Sequence, residues 1–266
     1  LPRLRRMVAF ERLLARLFSR EDSPWFLKGG YALEIRFRQD ARATRDIDLA
    51  LPEVRPYLEG REIVRDKLLA RLERAAATDL GDWFGFQIGT PTLELEAEPY
   101  GGFRFPAVAT LDQREFTTFH FDLALGDADI FEPEWIFGHD LLSFAGISPA
   151  RIALIPKEQQ FAEKIHAYTL PREGKINSRT RDMVDILLLI QKAAPDPDRV
   201  AHAVRETFKR RDTHPIPQKL ATPPEAWNDP FQKMAQSINL APDNITEAFH
   251  IVDSYWNKLQ SKIKKE

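Results

Sequence analysis

The segment from Phe26 to Leu51, FLKGGYALEIRFRQDARATRDIDLAL, sets the tightest limits on what this chain can build. A short apolar run ends at the glycine pair Gly29–Gly30. A helix-forming stretch follows, and an Asp-x-Asp pair, Asp46 and Asp48, then sits inside a second apolar run. Carboxylates one residue apart on a strand point to the same face of a sheet. Two hard oxygen donors on one face can hold Mg²⁺, which usually completes its octahedral shell with substrate phosphates and water. A glycine pair lets backbone N–H groups approach an anion closely, and the N-terminus of the following helix adds a favourable dipole. A phosphate cradle combined with metal-binding carboxylates points to nucleotide chemistry.

Hydrophobic periodicity divides the chain near residue 150. The first part is mixed α/β: helices over 3–20, 31–38 and 54–77, and strands over 25–28, 44–51, 83–88, 92–98, 102–110 and 116–125. The second part is helical, over 157–170, 179–192, 197–210, 224–238 and 244–263. The fold class expected is therefore α+β, with domains at 1–150 and 151–266. A length of 266 residues accommodates either one large or two small units.

Several classes are excluded. The chain has no cysteine, so it has no disulfide framework, thiolate metal site or thiol nucleophile, which fits a cytoplasmic protein. No apolar run approaches the roughly 18 residues that cross a bilayer, so no membrane partner is expected. The opening LPRLRRMVAF lacks the apolar core of a signal peptide, and its start at Leu1 suggests a trimmed native start. A net charge of −2 rules out polyanion binding by the surface as a whole. Three basic clusters stand out locally: Arg3, Arg5, Arg6, Arg12, Arg16 and Arg20; Arg36, Arg38, Arg42 and Arg45; and Arg205, Lys209, Arg210 and Arg211. Each reads either as a solvated helix face or as a patch that guides RNA or a triphosphate. There is no G-x-S-x-G nucleophile elbow, and the glycine pair lacks the spacing of a Walker A or Rossmann loop.

Other positions carry chemistry. Along FTTFHFDLALGD, Phe119, Phe121, Leu123 and Leu125 share one strand face, while His120 and Asp122 take the other. If this strand neighbours 45–50, Asp122 becomes a third carboxylate beside Asp46 and Asp48; otherwise it is an acid on a solvated face. Asp127 and Asp129 follow Gly126 and read as an acidic loop cluster, with metal binding as the alternative. In KEQQFAEKIHAY, Phe161, Ile165 and Tyr168 form the apolar stripe, and Lys164 lies about 60° from its centre. A lysine there can snorkel or can point its ammonium at phosphates. His166, on the opposite side, reads as a surface residue. In SRTRDMVDILLLI, Asp182 shares a face with Ile186 and Leu189 and needs a partner from Arg179, Arg181 or Lys164. A buried ion pair and a catalytic role are equally compatible with that placement, whereas Asp185 reads as structural.

In combination these segments resemble the AbiEii/AbiGii-type nucleotidyltransferase toxins, which are similar to the wider DNA polymerase β-like nucleotidyltransferase superfamily. The family pattern is a Gly-Gly or Gly-Ser pair, a helix, and Arg-x-Ser/Thr-x-Asp-x-Asp, matched by Arg42, Thr44, Asp46 and Asp48. A later strand acid matches Asp122. A Glu-Lys-apolar-x-Ala element matches Glu163, Lys164, Ile165 and Ala167, and an Arg/Lys-Asp-x-x-Asp element matches Arg181, Asp182 and Asp185. These motifs run in order from Lys28 to Ile190. The glycine pair replaces the Gly-Ser of many superfamily members, so no serine hydroxyl is available there for phosphate contact.

The resemblance implies a polymerase β-like mixed sheet with flanking helices, followed by a C-terminal helical bundle. It implies the toxin of a toxin–antitoxin or phage-defence pair: an Mg²⁺-dependent enzyme that adds nucleotides from an NTP to an RNA acceptor. In some relatives that acceptor is the tRNA 3′ end, and the modification blocks translation. The implied protein partner is a winged-helix antitoxin encoded alongside. Carried over residue by residue, Asp46, Asp48 and Asp122 become metal ligands. Lys28, Gly29, Gly30, Arg42, Thr44, Lys164 and Arg181 become nucleotide-binding, and Asp46, Asp48, Asp122, Lys164 and Asp182 catalytic. Two alternatives keep the fold: nucleotidylation of a protein side chain, and a nucleotide-sensing module with a degenerate site. The intact set of Asp46, Asp48, Asp122 and Lys164 argues against the second.

Overall fold

A computed structural model of the chain describes residues 2–53, 61–95, 100–126, 131–172, 174 and 177–264. The chain forms two compact units, residues 1–35 with 44–155, and residues 36–43 with 156–266.

The first unit opens with helix α1 (Pro2–Leu17), strand β1 (Phe26–Lys28) and helix α2 (Gly29–Phe37), whose last two residues belong to the second unit. Strand β2 (Ile47–Leu51), helix α3 (Arg61–Ala76) and strands β3 (Phe84–Ile88), β4 (Leu93–Glu94), β5 (Gly102–Leu111), β6 (Arg114–Leu125), β7 (Glu134–Phe137) and β8 (Arg151–Leu154) complete it. The described strands make one mixed sheet in the order β3-β5-β6-β2-β1-β8-β7, with β4 also paired to β5. The β2–β6 and β1–β8 pairs are parallel and the others antiparallel.

Alternation decides which face is buried. Leu27, Ile47, Leu49, Leu51, Phe103, Phe105, Phe119, Phe121, Leu123 and Leu125 join a core that also takes in Leu13, Leu14 and Leu17 of α1 and Leu68 and Leu72 of α3. Residues between these positions on the strands therefore project from the opposite face. Arg12 and Arg16 correct both readings of the first basic cluster. They are neither solvated nor part of a patch, because both guanidiniums bond the buried Asp82 carboxylate, Arg12 at 2.6 Å and Arg16 at 2.6 and 3.0 Å.

Some expected boundaries shift for identifiable reasons. Strand β2 begins at Ile47 rather than residue 44, because the Thr44 N–H is drawn to the Glu34 carboxylate at 3.0 Å instead of the ladder. The 92–98 strand is described only as Leu93–Glu94, since residues 96–99 lie outside the described residues, as do the first residues of the 54–77 helix. Strands β7 and β8 were not anticipated; each has only four residues, too few for an alternation to stand out.

The second unit contains α4 (Lys157–Thr169), α5 (Thr180–Leu188), α6 (Pro197–Arg211), α7 (Asn228–Ser237) and α8 (Ile245–Ile263). Asp196 caps α6, accepting from the N–H groups of Asp198 and Arg199, with Pro197 at the first helical position. Asn244 caps α8 in the same manner. Helix α5 ends earlier than expected, in a wide π turn over Leu189–Ala193 that leads to Ala194 at φ +43° and Pro195.

Candidate active site

In the first unit, sheet register places four charged residues in one transverse row. Lys28 on β1 is opposite Asp48 on β2, Asp48 is opposite Asp122 on β6, and Asp122 is opposite Arg104 on β5. Directly paired residues share a face, so this row lies on the face turned away from the hydrophobic core. The expected neighbourhood of Asp48 and Asp122 is thus present. Asp46 sits one residue before β2 and is exposed.

Arg104 grips Asp122 with two parallel bonds, Nε to Oδ1 at 2.7 Å and Nη2 to Oδ2 at 2.8 Å. The hydrogen bond to Asp122 raises the Arg104 pKa above that of an ordinary arginine. Burial opposes the rise, and the charges of Asp122, Asp46 and Asp48 add to it. The three carboxylates therefore act on one guanidinium. Sequence reasoning missed Arg104. The available signal was a lone basic residue on the outward face of an otherwise apolar alternating strand.

Gly29 has φ +66°, a conformation L side chains rarely adopt. A Cβ built there would collide with the Asp48 carboxylate and lie 2.9 Å from Asp48 Cβ. The start of α2 is thus pressed against Asp48, with Gly30 in the helix's first turn and Lys28 buried immediately before it. The glycine pair places a helix N-terminus beside a carboxylate on the same sheet face.

The hard oxygens of this site suit a divalent cation. Asp46 and Asp48 supply carboxylate oxygens for one, and Asp122 has both oxygens bonded to Arg104. Among the described residues no three His, Cys, Asp or Glu side chains form a ready-made metal cage. Mg²⁺ suits such an incomplete set, because it is commonly held by one or two carboxylates with phosphates and water completing its shell. The Asp127–Asp129 loop lies outside the described residues.

In the second unit, Lys164 Nζ lies 2.8 Å from both Asp182 Oδ1 and Asp185 Oδ2. Arg42 forks onto Asp185, Nε to Oδ1 at 2.8 Å and Nη2 to Oδ2 at 2.7 Å. Burial works against the charge on Lys164, but Asp185 and Asp182 outweigh burial and the neighbouring Arg42 and keep the ammonium pKa above an ordinary lysine's. Burial likewise pushes the Asp185 carboxyl up, and Lys164 and Arg42 overcome it and hold its pKa down. Asp182 Oδ2 is buried without a hydrogen bond, with Arg179 Nη1 3.6 Å away. Lys164 thus supplies the partner that Asp182 requires, while Arg181 is exposed. His166 is a correction. It is 3% exposed rather than a surface residue, sharing a 2.9 Å hydrogen bond with Thr213 and packed against Phe208 and His214. Helix α4 is covered on two sides, so a single apolar stripe under-reports its burial.

No described helix is long and apolar enough to cross a membrane. No curated protein matches the chain. Among solved structures, it is similar to MenT4, a nucleotidyltransferase toxin from Mycobacterium tuberculosis H37Rv, at 16% identity and a TM-score of 0.57, covering 98% of this chain and 83% of that one. A second likeness, to the CdnE cyclic dinucleotide synthase of Elizabethkingia meningoseptica, has 14% identity and a TM-score of 0.25, covering 96% of this chain and 92% of that one, and carries no weight. The family model described as the nucleotidyl transferase AbiEii toxin of type IV toxin–antitoxin systems matches residues 12–260. With the sheet, the carboxylate row and the Lys164 cluster in place, that match over nearly the whole length means the chain belongs to the AbiEii nucleotidyltransferase toxin family.

Proposed function

We propose that this nucleotidyltransferase toxin uses Mg²⁺ and an NTP to add nucleotides to an RNA acceptor, the tRNA 3′ end, and so blocks translation in the cytoplasm. Its antitoxin partner is then a winged-helix protein, and the pair serves in phage defence. The observation that carries the reading is the row Lys28–Asp48–Asp122–Arg104, two adjacent carboxylates flanked by cations, with Asp46 at the entrance to β2.

Asp46 and Asp48 hold the metal, and Asp122 completes the set on the acceptor side. The metal held there would supply the charge that activates the acceptor hydroxyl and neutralises the leaving pyrophosphate. Gly29 and Gly30, at the α2 N-terminus, cradle the triphosphate with backbone donors, and Lys28 and Thr44 flank it. In the reaction the acceptor oxygen bonds to the α-phosphorus as the bond to pyrophosphate breaks. Lys164, kept charged by Asp182 and Asp185, neutralises charge on the triphosphate, and Arg42 and Arg181 add nucleotide contacts. Asp182 orients Lys164 or contacts the nucleotide.

The test is transfer of label from each NTP in the presence of Mg²⁺, total tRNA and total protein, with wild type and Asp46→Ala side by side. Label on tRNA, abolished by Asp46→Ala in a protein that still folds, is the expected result. Wild-type incorporation by the variant removes Asp46 from the mechanism, and label on protein alone replaces the RNA acceptor with a side chain.

A further inference from the structure

Arg104 belongs to none of the motifs that mark the site, yet it is bonded directly to the carboxylate row. Its guanidinium closes a two-point fork on Asp122, at 2.7 and 2.8 Å, and occupies both carboxylate oxygens. A carboxylate offers about four lone-pair positions, and a fork of this kind fixes both its charge and its plane. The next residue along the row, Asp48, carries the same charge as Asp122. Without cations the two acids on neighbouring strands would repel; Lys28 stands opposite Asp48 on the β1 side, and Arg104 offsets the repulsion at Asp122 from the β5 side. The pair is not sealed: the Arg104 side chain is 39% exposed and that of Asp122 17%. The guanidinium can therefore swing toward solvent without disturbing the core on the other face.

We infer that Arg104 is a positioning residue that stands in for the divalent cation. It clasps Asp122 while no metal is bound and yields one carboxylate oxygen when the metal arrives. This keeps the acidic row assembled and oriented in the absence of metal. It also sets the metal affinity lower than the carboxylates alone would give, because the ion must displace part of a charge-assisted fork. The inference rests on the proposed metal role of Asp48 and Asp122.

Mn²⁺ provides the probe, since its free-ion paramagnetic resonance signal reports binding without any turnover. Wild type, Arg104→Met and Arg104→Lys are titrated with Mn²⁺, and their melting temperatures are compared in EDTA and in saturating Mn²⁺. Arg104→Met is expected to bind Mn²⁺ about tenfold more tightly, the scale of one charge-assisted hydrogen bond released from competition. Arg104→Lys, which cannot form the fork, falls between the two. In EDTA Arg104→Met melts below wild type, and Mn²⁺ removes the difference. A merely structural arginine predicts the opposite sign, since its loss would loosen the row and weaken Mn²⁺ binding. Unchanged or weaker binding by Arg104→Met, while wild type binds, overturns the inference and leaves the metal reading standing. No binding by any of the three overturns both. Should Arg104→Met fail to fold, Arg104→Lys decides, and an affinity equal to wild type overturns the inference.

Discussion

Gly29→Ala is expected to separate fold stability from catalysis. The alanine would occupy φ +66°, which costs an L-residue about 1–2 kcal/mol. Removing a glycine from the unfolded chain returns about 0.4–1 kcal/mol, so the backbone alone costs about 1 kcal/mol net, and relieving the overlap with Asp48 adds about 1–2 kcal/mol. The functional cost is larger. The new Cβ would lie 2.6 Å from Asp48 Cγ and 2.9 Å from Asp48 Cβ, where ordinary contact begins near 3.4 Å. Because Asp48 Cβ itself is too close, rotating the carboxylate does not relieve the overlap. Strand and helix must part, carrying the carboxylate roughly 1 Å from its place, and a displacement of that size costs about 100-fold in rate. Urea unfolding reads the first quantity, and single-turnover transfer from labelled NTP reads the second. An alanine variant within threefold of wild-type transfer would refute the claim that Gly29 is required for its approach to Asp48. A loss of stability above about 3 kcal/mol would show that the site cannot absorb the overlap locally.

Two further predictions concern buried charge. Asp185→Ala leaves Arg42 and Lys164, whose side chains are 12% and 14% exposed, without their shared carboxylate, and should lower stability by about 3–5 kcal/mol in urea titration; a change under 1 kcal/mol would contradict the ion cluster. Burial raises the Asp82 carboxyl, but hydrogen bonds from Arg16 and Arg12 outweigh it and bring the pKa down to about 2. Because the folded pKa is depressed, that stabilisation is complete above the unfolded value near 4 and is lost as pH falls toward about 2. Stability measured between pH 5 and pH 2 should fall by about 2 kcal/mol more in wild type than in a chain carrying Arg12→Leu, Arg16→Leu and Asp82→Leu, and equal slopes would contradict it.

The two carboxylates of the Asp-x-Asp pair were legible because they sit in a single strongly patterned segment. Asp122 was legible as an acid on the outward face of a long alternating strand. The α+β class followed from the change of period after Pro156. The pairing of Arg104 with Asp122 was not legible, for a geometric reason. The hairpin turns through Asp112–Gln113, both with positive φ, and pairs Leu111 with Arg114 and Thr110 with Glu115. Continuing that register would set Arg104 opposite Phe121, on the wrong face. A bulge between Ala109 and Thr110 shifts the count by one and brings Arg104 opposite Asp122 instead. Nothing in the hairpin's composition announces that extra residue. The Arg12–Arg16–Asp82 cluster was hidden for a related reason: its acid arrives from nearly 70 positions away, while charge counting along the chain sees only neighbours. For His166 a helical stripe identifies one buried face and is silent when a second element covers the other.

The parallel pairing of β2 with β6 has a consequence for biosynthesis. The Asp-x-Asp pair is made early, but the strand that neighbours Asp48 in the finished sheet ends at Leu125. A nascent chain halted before Phe121 carries both early aspartates and the glycine pair, yet lacks Asp122 and with it the Arg104 fork. Long-range strand pairing closes late because loop-closure entropy must be overcome before the contacts form. A chain halted there therefore lacks the row Lys28–Asp48–Asp122–Arg104 on which the proposed chemistry depends.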